Sequence, residues 1–373
     1  MAVKNLVLVT GGTGYVATFT LYQLLQRGYN VRTSVRNIGR SEELNKDLLG
    51  LNSYEHVKGY GDENKTFEKL TSEMLNKKLT YFAADLNKSA GWKEAIEGVE
   101  YILHIASPIS TGPSTDEEMV TPAVEGTKRI LDLALEYNVK RVVVLSSCAA
   151  VTYNELPSGS LLDESVFSSE KVLPNSYSRS KLYQEKAVWE WIKSDKNTKS
   201  SKPVEVTVLA PPGIYGPNVP GKLSQSATAV VKNLIDGKMK IGAPKLYFGA
   251  VDVRDVAYLS YRGMSEPIAK NQRYIIDATD KPDLSILQFA EMIRSYYSIP
   301  ENNKDGKVDI TKLPTRELPS WFVRVVSYII TPLSAIVPYL DITKHTTNAK
   351  AVKAFNWKPI TIQECVVATI DTM

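Results

Sequence analysis

The first half of the chain alternates short apolar runs with longer amphipathic stretches. Residues 5–10, NLVLVT, form an apolar run typical of a parallel strand that is buried on both faces. Residues 121–140 instead have apolar positions at the one-turn spacing of a crossover helix. Further strand-like runs recur at residues 30–40, 79–86, 101–108 and 141–151. This alternation predicts an α/β fold, a doubly wound parallel sheet over residues 1–210.

The pattern becomes less regular beyond residue 210. The run VEVTVLAPPGIYGP breaks on prolines and glycines, and helices and short strands with many prolines follow it. We expect a smaller C-terminal lobe made of residues 211–249 and 265–373. Residues 250–264, AVDVRDVAYLSYRGM, predict a strand and a helix that rejoin the first domain at about that position.

Two segments stand apart from this pattern. Residues 41–78 are polar, of mixed charge and longer than a strand–helix connection needs, so we interpret them as a surface insertion with little chemistry. Residues 321–340 are apolar, but Arg324 interrupts them and only the 16 residues 325–340 are uncharged. A spanning helix needs about 20 apolar residues. We therefore expect no membrane span, and a buried lid, a dimer helix and a substrate-pocket helix all remain open.

Composition and charge narrow the class of protein. The 373 residues are 43% hydrophobic with a net charge of +4, which is typical of a globular protein and does not favour nucleic acid as a partner. Two cysteines, Cys148 and Cys365, are too few for a disulfide framework, and three scattered histidines predict no metal site. The apolar N-terminus leads directly into glycines without a cleavage site. We expect a reducing, cytoplasmic location.

The first apolar run leads into GGTGYVA at residues 11–17. Gly11 and Gly14 lie where a tight turn must bring backbone N–H groups close to a pyrophosphate. A helix from about Tyr15 to Arg27 would direct its positive end at the same anion. The order of strand, glycines and helix favours a dinucleotide site over an ordinary strand–turn–helix.

The end of the second strand indicates which dinucleotide is bound. An NAD site uses an acidic residue about 20 residues after the glycines to hold the ribose 2′-OH. Here the first acidic residue of the chain is Glu42, whereas Arg36 and Arg40 lie at the expected place. Guanidinium groups match phosphate geometry, so the pattern favours NADP(H), with two arginines that merely solvate a loop as the alternative.

Other candidate residues end strands at the same edge of the sheet. Asp85 and Leu86 follow the third strand, where an adenine would lie, and small residues, Ala106 and Ser107, follow the fourth and leave space for a ligand. His104 lies inside the fourth strand and is interpreted as a hydrogen-bonded core residue.

A serine, a tyrosine and a lysine supply the candidate chemistry. Ser147 ends the strand-like run RVVVLSS, and Tyr177 and Lys181 lie four residues apart in a helix-forming stretch, so they share one helix face. Hydride transfer to a carbonyl carbon requires a proton on its oxygen, which a phenol can donate. A nearby ammonium would lower the pKa of that phenol. Ser147 would hydrogen-bond the carbonyl oxygen.

The ordered motifs TGGTGYVA, ADL, LHIASP, PAVEGTKRIL, RVVVLSSCAAV, YSRSK, PPGIYGP and VDVRDVA cover residues 5–265. Together they resemble the extended short-chain dehydrogenase/reductases, and more narrowly the dihydroflavonol-4-reductase-like branch with its microbial ketone, aldehyde and methylglyoxal reductases. The segments LPSWFVRVV and NAKAVKAFNWKP continue the similarity more loosely. Two departures are the long 41–78 segment and Ala17, which replaces the commoner glycine.

The resemblance implies a Rossmann NADP-binding domain with a substrate-binding C-terminal lobe. It implies catalytic roles for Ser147, Tyr177 and Lys181. It also implies a set of cofactor contacts: Gly11, Gly14, Tyr15, Val16, Arg36, Arg40, Asp85, Leu86, Ala106, Pro211, Ile214 and Ser226.

The leading hypothesis is an NADPH-dependent carbonyl reductase that converts an aldehyde or ketone to an alcohol. The partner would be a small-molecule carbonyl substrate, and the protein a monomer or a homodimer. One alternative is a nucleotide-sugar epimerase or dehydratase, or a hydroxysteroid dehydrogenase. Another is a non-catalytic NADP-sensing protein, which would have no need of Tyr177 with Lys181. The substrate itself is not specified by these motifs.

Overall fold

The computed structural model of the chain describes residues 5–54, 57, 60–61, 67–108, 114–222, 228–279, 284–304, 306–334 and 336–373. Its strands in chain order are β1 Leu6–Val9, β2 Asn30–Val35, β3 Leu79–Ala83, β4 Tyr101–His104, β5 Arg141–Leu145, β6 Leu161–Leu162, β7 Glu205–Ala210, β8 Gly213–Tyr215, β9 Tyr247–Phe248, β10 Ala250–Asp252, β11 Gln272–Ile275, β12 Leu284–Ser285 and β13 His345–Thr346.

The helices alternate with these strands in the first half of the chain and dominate the second half. They are α1 Tyr15–Gln26, α2 Ser41–Gly50, α3 Ser72–Lys78, α4 Trp92–Ile96, α5 Asp116–Glu136, α6 Ser176–Lys193, α7 Asp195–Thr198, α8 Thr228–Ile235, α9 Val253–Ser265, α10 Ile286–Tyr297, α11 Ser320–Val326, α12 Thr331–Ser334, α13 Ala349–Phe355 and α14 Ile362–Asp371.

The main sheet has seven parallel strands in the order β11-β7-β5-β4-β1-β2-β3. Strand order reverses between β1 and β4, so the crossovers on the two sides run in opposite directions and leave a crevice outside the carboxyl ends of these strands. The predicted doubly wound parallel sheet is confirmed.

Burial of both faces explains why these apolar runs form central strands. All four residues of β1 are buried. Val7 and Val9 belong to one apolar core, which includes α1 and α9, whereas Leu6 and Leu8 belong to a second core with α4, α5 and α6. Successive side chains of a strand point to opposite faces, so one apolar run serves both layers.

The helix within residues 250–264 packs beside the main sheet, whereas the strand before it, β10, pairs with β8 outside that sheet. Helix α9 packs against α1 and against the sheet through buried residues, which include Val256 and Leu259. Strand β11 lies in the main sheet, where Gln272–Ile275 pairs with β7, although the sequence pattern assigned residues 265–373 to the lobe. Its buried Tyr274 and Ile275 fit that position.

The 41–78 segment differs from the expected surface insertion. Its first part forms α2, and Leu44, Leu48 and Leu51 are fully buried in the core beside α1. Glu43 and Asp47 on the same helix line the large cleft described below. The segment therefore packs in the core through leucines that are dispersed among polar residues. Other residues of the same helix line the cleft.

Short strands outside the main sheet pair β8 with β10, β9 with β12 and β6 with β13, and we use the name smaller lobe for residues 211–249 and 276–373. No helix in the described part of the chain has the length and apolar character needed to cross a bilayer. Large apolar side chains of residues 321–330 are exposed, whereas Pro338 and Tyr339 line the cleft. The first half of the 321–340 segment is therefore not a buried lid.

Candidate active site

A cleft of about 2120 Å³ runs along the carboxyl edge of the main sheet and continues into the smaller lobe. It begins at the glycine turn, passes the ends of β2, β3, β4 and β5, and reaches residues 338–344. This volume exceeds the roughly 300–1,000 Å³ of a single small-ligand pocket, so it has room for a dinucleotide together with a substrate.

The glycine turn fits a phosphate group. Gly11 has a positive φ of 73°. Its N–H donates to Ser34 Oγ and that of Gly14 to the Gly11 carbonyl, both at 2.9 Å, so these two groups are bonded within the protein and an anion would meet the N–H groups of the first turn of α1 instead. A Cβ at Gly12 would lie 2.2 Å from Thr33 Oγ1, so this turn has no space for a side chain. Helix α1 follows without a side-chain cap, which leaves its N-terminus suited to an anion.

The two residues after this turn line the cleft as expected, but Tyr15 also has a structural contact. Its hydroxyl donates to the Pro217 carbonyl at 3.0 Å and contacts the Tyr215 carbonyl at 3.3 Å. Burial raises the pKa of Tyr15 well above its usual value, so the phenol remains neutral. Val16 packs against the core. Tyr15 therefore connects the start of α1 to the segment after β8.

The two arginines predicted to bind a 2′-phosphate line the same end of the cleft, but they differ in exposure and in their contacts. Arg36 is exposed. Arg40 Nε donates to Glu43 Oε2 at 2.8 Å, and its guanidinium lies 3.4 Å from Thr13 Oγ1. Hydrogen bonds from Arg40 and Lys222 lower the pKa of Glu43 to about 2, so this carboxylate is ionised.

Lys222 reaches this end of the cleft from the smaller lobe, and sequence reasoning missed it. Its Nζ lies 2.7 Å from Glu43 Oε1 and forms an ion pair with Asp47. Pro220 lies against Gly50 of α2. We call Val219–Lys222 the crossing loop, because it bridges the lobe and α2. The Arg40–Glu43 spacing of three residues is visible in the sequence, but nothing there connects Lys222 with α2.

The other cofactor candidates in the described part of the chain also line the cleft: Asp85, Leu86, Ala106, Pro211 and Ile214. Asp85 Oδ1 accepts the N–H of Asn87 at 2.9 Å, and Leu86 lies next to Gly126 of α5. Ala106 is close to Gly11, and Pro211 and Ile214 lie along β7–β8. Ser226 lies outside the described residues.

Helix α6 positions the tyrosine and the lysine. Asn175 caps it by accepting the N–H of Ser178 at 2.8 Å, which fixes its first turn. Tyr177 and Lys181 are one helical turn apart and both line the cleft. Tyr177 is 36% exposed, whereas Lys181 is buried and its Nζ donates to the Leu145 carbonyl at 2.9 Å.

Ser147 lies beside Tyr177 in the cleft, and both line it. Ser147 begins the short 3₁₀ helix Cys148–Ala150, and its Oγ accepts the N–H of Ala149 at 3.1 Å. Desolvation raises the pKa of Tyr177 above its usual value, and the nearby Ser147 hydroxyl opposes this shift by less. The expectation of a lowered phenol pKa is wrong for this arrangement, because the Lys181 ammonium is directed to Leu145.

A buried ion pair lies behind the lysine, and sequence reasoning did not identify it. Burial lowers the pKa of Lys181 to about 8, against the opposing effect of Glu185 one turn further along α6. Glu185 is fully buried, accepts a hydrogen bond from Ser146 Oγ at 2.6 Å, and lies 2.5 Å from Arg273 Nε. Arg273 comes from β11, 88 residues away in the chain. The Tyr-x-x-x-Lys-x-x-x-Glu spacing was the available signal.

His104 is a hydrogen-bonded core residue, as interpreted from the sequence. Its two ring nitrogens lie 3.0 Å from Thr10 Oγ1 and 3.0 Å from Thr127 Oγ1. Burial lowers its pKa to about 3, so the imidazole is neutral. Thr10 also accepts the N–H groups of Ile105 and Ala106, which stabilises the end of β4 beside the glycine turn.

Sequence comparison relates the chain to known proteins. The sequence model of the NAD dependent epimerase/dehydratase family matches residues 7–275. Cinnamoyl-CoA reductase 1 of Arabidopsis thaliana is 31% identical over 306 residues, which are 81% of this chain and 78% of that protein. A ketoreductase of Aspergillus niger is 28% identical over 312 residues, 78% of this chain and 81% of that protein.

Solved structures share the whole fold. The yeast methylglyoxal/isovaleraldehyde reductase Gre2, crystallised with NADPH, has a TM-score of 0.73 at 20% identity, and 98% of this chain aligns with 97% of that one. Vestitone reductase from alfalfa has a TM-score of 0.67 at 24% identity, covering 99% and 98% of the two chains. The chain belongs to the NAD dependent epimerase/dehydratase family and is an oxidoreductase of the extended short-chain dehydrogenase/reductase type, similar to its dihydroflavonol-4-reductase-like branch.

Proposed function

We propose that the protein is an NADPH-dependent carbonyl reductase that converts an aldehyde or ketone to an alcohol. The observation that carries this proposal is the Tyr177 phenol, which lines the cleft together with Ser147 and lies one helical turn from Lys181. The names of the curated relatives, cinnamoyl-CoA reductases and a ketoreductase, support a reductase over an epimerase.

The reaction adds one hydride and one proton across the C=O bond. NADPH supplies the hydride when bound, and its pyrophosphate would lie at the Gly11–Gly14 turn. Tyr177 donates its proton to the carbonyl oxygen as the alkoxide forms. The raised pKa of Tyr177 suits this role, because the phenol is protonated in the resting site at neutral pH. Ser147 would hold the carbonyl oxygen beside that proton.

Lys181 has an electrostatic role in this proposal. Its Nζ is held by the Leu145 carbonyl at the end of β5, on the same helix face as Tyr177. Once Tyr177 has given up its proton, the ammonium, which is directed to Leu145 in the resting site, would turn towards the phenolate and stabilise it. Glu185 favours the charged form of Lys181 in turn.

The direct test measures NADPH and NADH oxidation by the purified protein. Candidate acceptors are aldehydes, α-dicarbonyls, β-keto esters, dihydroflavonols and a cinnamoyl thioester. We expect turnover with at least one class and a preference for NADPH. Inert behaviour towards every acceptor, together with tightly retained NAD, would favour the epimerase or dehydratase alternative. Cofactor binding without any turnover would favour a sensor.

The Arg36 side chain provides a test of cofactor choice. Arg36 is exposed at the cleft, and charge-assisted bonds to a phosphate are worth about 1.5–3 kcal/mol. Arg36→Ala should therefore raise KM for NADPH about tenfold or more and leave KM for NADH nearly unchanged. Arg324→Ala, which removes an exposed arginine outside the cleft lining, is the matched control. An equal change for both cofactors would remove Arg36 from the phosphate site.

The pKa of Lys181 predicts how the activity depends on pH. Because burial lowers this pKa to about 8, the ammonium is present below pH 8 and is lost as the pH rises through that value. We expect kcat to fall above about pH 8. In Lys181→Arg the charge persists, so the decline should move to higher pH even if the maximal rate is reduced. A decline at the same pH in both proteins would assign it to another group.

A further inference from the structure

Residues 321–330 form an exposed apolar segment on the smaller lobe. Tyr328 is 91% exposed, Ile329 82% and Trp321 67%, and Phe322, Val325 and Ile330 are also exposed. Single exposed apolar residues are common on protein surfaces, but a contiguous group of this size indicates an interaction surface.

The lobe holds this segment with its apolar side chains directed outward. Helix α11 begins after Pro319, whose carbonyl accepts the N–H of Phe322 at 3.0 Å. Val323 is buried and attaches the helix to the lobe. The N–H of Ile330 donates to the Val326 carbonyl at 2.9 Å, so the backbone remains ordered to the end of the segment.

The composition of the segment matches the interface of a lipid bilayer. From Leu318 to Leu340 the sequence has no acidic residue, and Arg324 is the single charged one. Tryptophan and tyrosine concentrate at the level of lipid headgroups, because their rings are apolar and their N–H or O–H groups remain hydrated. An arginine among them can extend its guanidinium towards phosphate groups.

The surface beside the segment has an excess of positive charge. Arg316 Nε donates to the Ile241 carbonyl at 3.2 Å, and the N–H of Leu318 donates to the Ala243 carbonyl, so residues 241–243 lie against residues 316–318, just before α11. Asp236 and Asp309 are each within 4 Å of a lysine. In residues 236–246 and 309–318 and at positions 324 and 341, the basic residues are Lys238, Lys240, Lys245, Lys312, Arg316 and Arg324. The acidic residues there are Asp236, Asp309, Glu317 and Asp341.

We propose that residues 321–330 dock the protein onto the surface of a bilayer that contains anionic lipids. The apolar side chains would enter the interface, and the neighbouring lysines and arginines would contact the headgroups. This mode of attachment needs no spanning helix. It depends on exposed side chains alone and is independent of the chemistry assigned to the cleft.

The segment continues directly into the wall of the cleft. Pro338, Tyr339 and Ile342 line the cleft, and the Tyr339 ring lies 6.3 Å from that of Tyr153. A docked molecule would therefore hold this part of its cleft close to the lipid. If the proposed reductase function holds, apolar carbonyl compounds dissolved in the bilayer become the favoured substrate class.

Vesicle co-sedimentation tests the docking. We expect wild-type protein to sediment with phosphatidylcholine vesicles that contain about a quarter phosphatidylserine, and less with phosphatidylcholine alone. The double variant Tyr328→Ser/Ile329→Ser should bind the mixed vesicles about tenfold more weakly, because two large apolar side chains are lost. Ile268→Ser, which removes a 56% exposed isoleucine elsewhere, should bind like wild type.

Two results would overturn the proposal. One is the absence of wild-type binding to either vesicle type, and the other is equal binding by wild type and the double variant. Light scattering distinguishes lipid binding from self-association. If the wild type is a dimer that does not bind vesicles, and the double variant is a monomer, the segment is a contact between two copies of the chain. NADPH oxidation with a water-soluble aldehyde should be unchanged in the double variant, which separates failure of docking from failure of the reductase function.

Discussion

Tyr177→Phe should lower kcat for carbonyl reduction by about 10²–10⁴-fold, because the variant has no hydroxyl to protonate the carbonyl oxygen. The phenylalanine ring keeps the packing of Tyr177 on α6, so the fold should be intact. NADPH binding, measured by fluorescence titration, should change little. Single-turnover kinetics with a responsive aldehyde or ketone would locate the loss in the chemical step.

A second tyrosine on the same helix provides the matched control. Tyr183 donates its hydroxyl to Glu170 Oε2 at 3.0 Å at the protein surface, outside the cleft lining. Tyr183→Phe should therefore retain nearly full activity. Full activity in Tyr177→Phe, or equal losses in the two variants, would exclude Tyr177 as the proton donor.

Arg273→Leu should lower the free energy of unfolding by about 3–5 kcal/mol, because it leaves the buried Glu185 carboxylate without its ionic partner. The Arg273 guanidinium also donates to the Val166 carbonyl at 2.6 Å and lies 3.9 Å above the Phe167 ring. Its loss would thus loosen the segment that leads towards α6. Chemical denaturation followed by circular dichroism measures the change.

An exposed ion pair on α6 gives the reference value. Arg179 Nε lies 2.7 Å from Asp116 Oδ1, with both side chains partly exposed, and such pairs contribute about 0–1 kcal/mol. Arg179→Leu should therefore be nearly neutral. In the double variant Arg273→Leu/Glu185→Leu, part of the lost stability should return, because the buried carboxylate is removed together with its guanidinium partner. Equal destabilisation by the two single variants would contradict a dominant role for burial.

The main sheet could be predicted because local sequence patterns determine it. Apolar runs such as NLVLVT must be buried on both faces, and their alternation with amphipathic stretches leaves few arrangements other than a parallel sheet. The positions of Gly11, Gly14 and Ser147 followed, since strand ends share one edge of such a sheet. The spacing of Tyr177 and Lys181 is likewise local, within one turn of α6.

Contacts between distant segments could not be predicted in this way. Lys222 meets α2 and Arg273 meets Glu185 only after the lobe and the sheet have formed, and no periodicity encodes either pair. The pKa of Tyr177 also depends on three-dimensional placement, because the Lys181 ammonium bonds the end of β5 instead of the phenol. The interpretation of residues 41–78 as a surface insertion is wrong, because three leucines that lie in the core are dispersed among charged residues.

The crossing loop adds a lysine to the ionic contacts around Arg40, one of the arginines proposed to bind the cofactor. Arg40, Glu43, Asp47 and Lys222 already neutralise one another through short contacts. In the proposed cofactor site, a 2′-phosphate beside Arg40 would share this guanidinium with Glu43, whereas the neighbouring Arg36 is exposed. Because Lys222 contacts both Glu43 and Asp47, the carboxylate that positions Arg40 is itself held by a residue from a distant part of the chain.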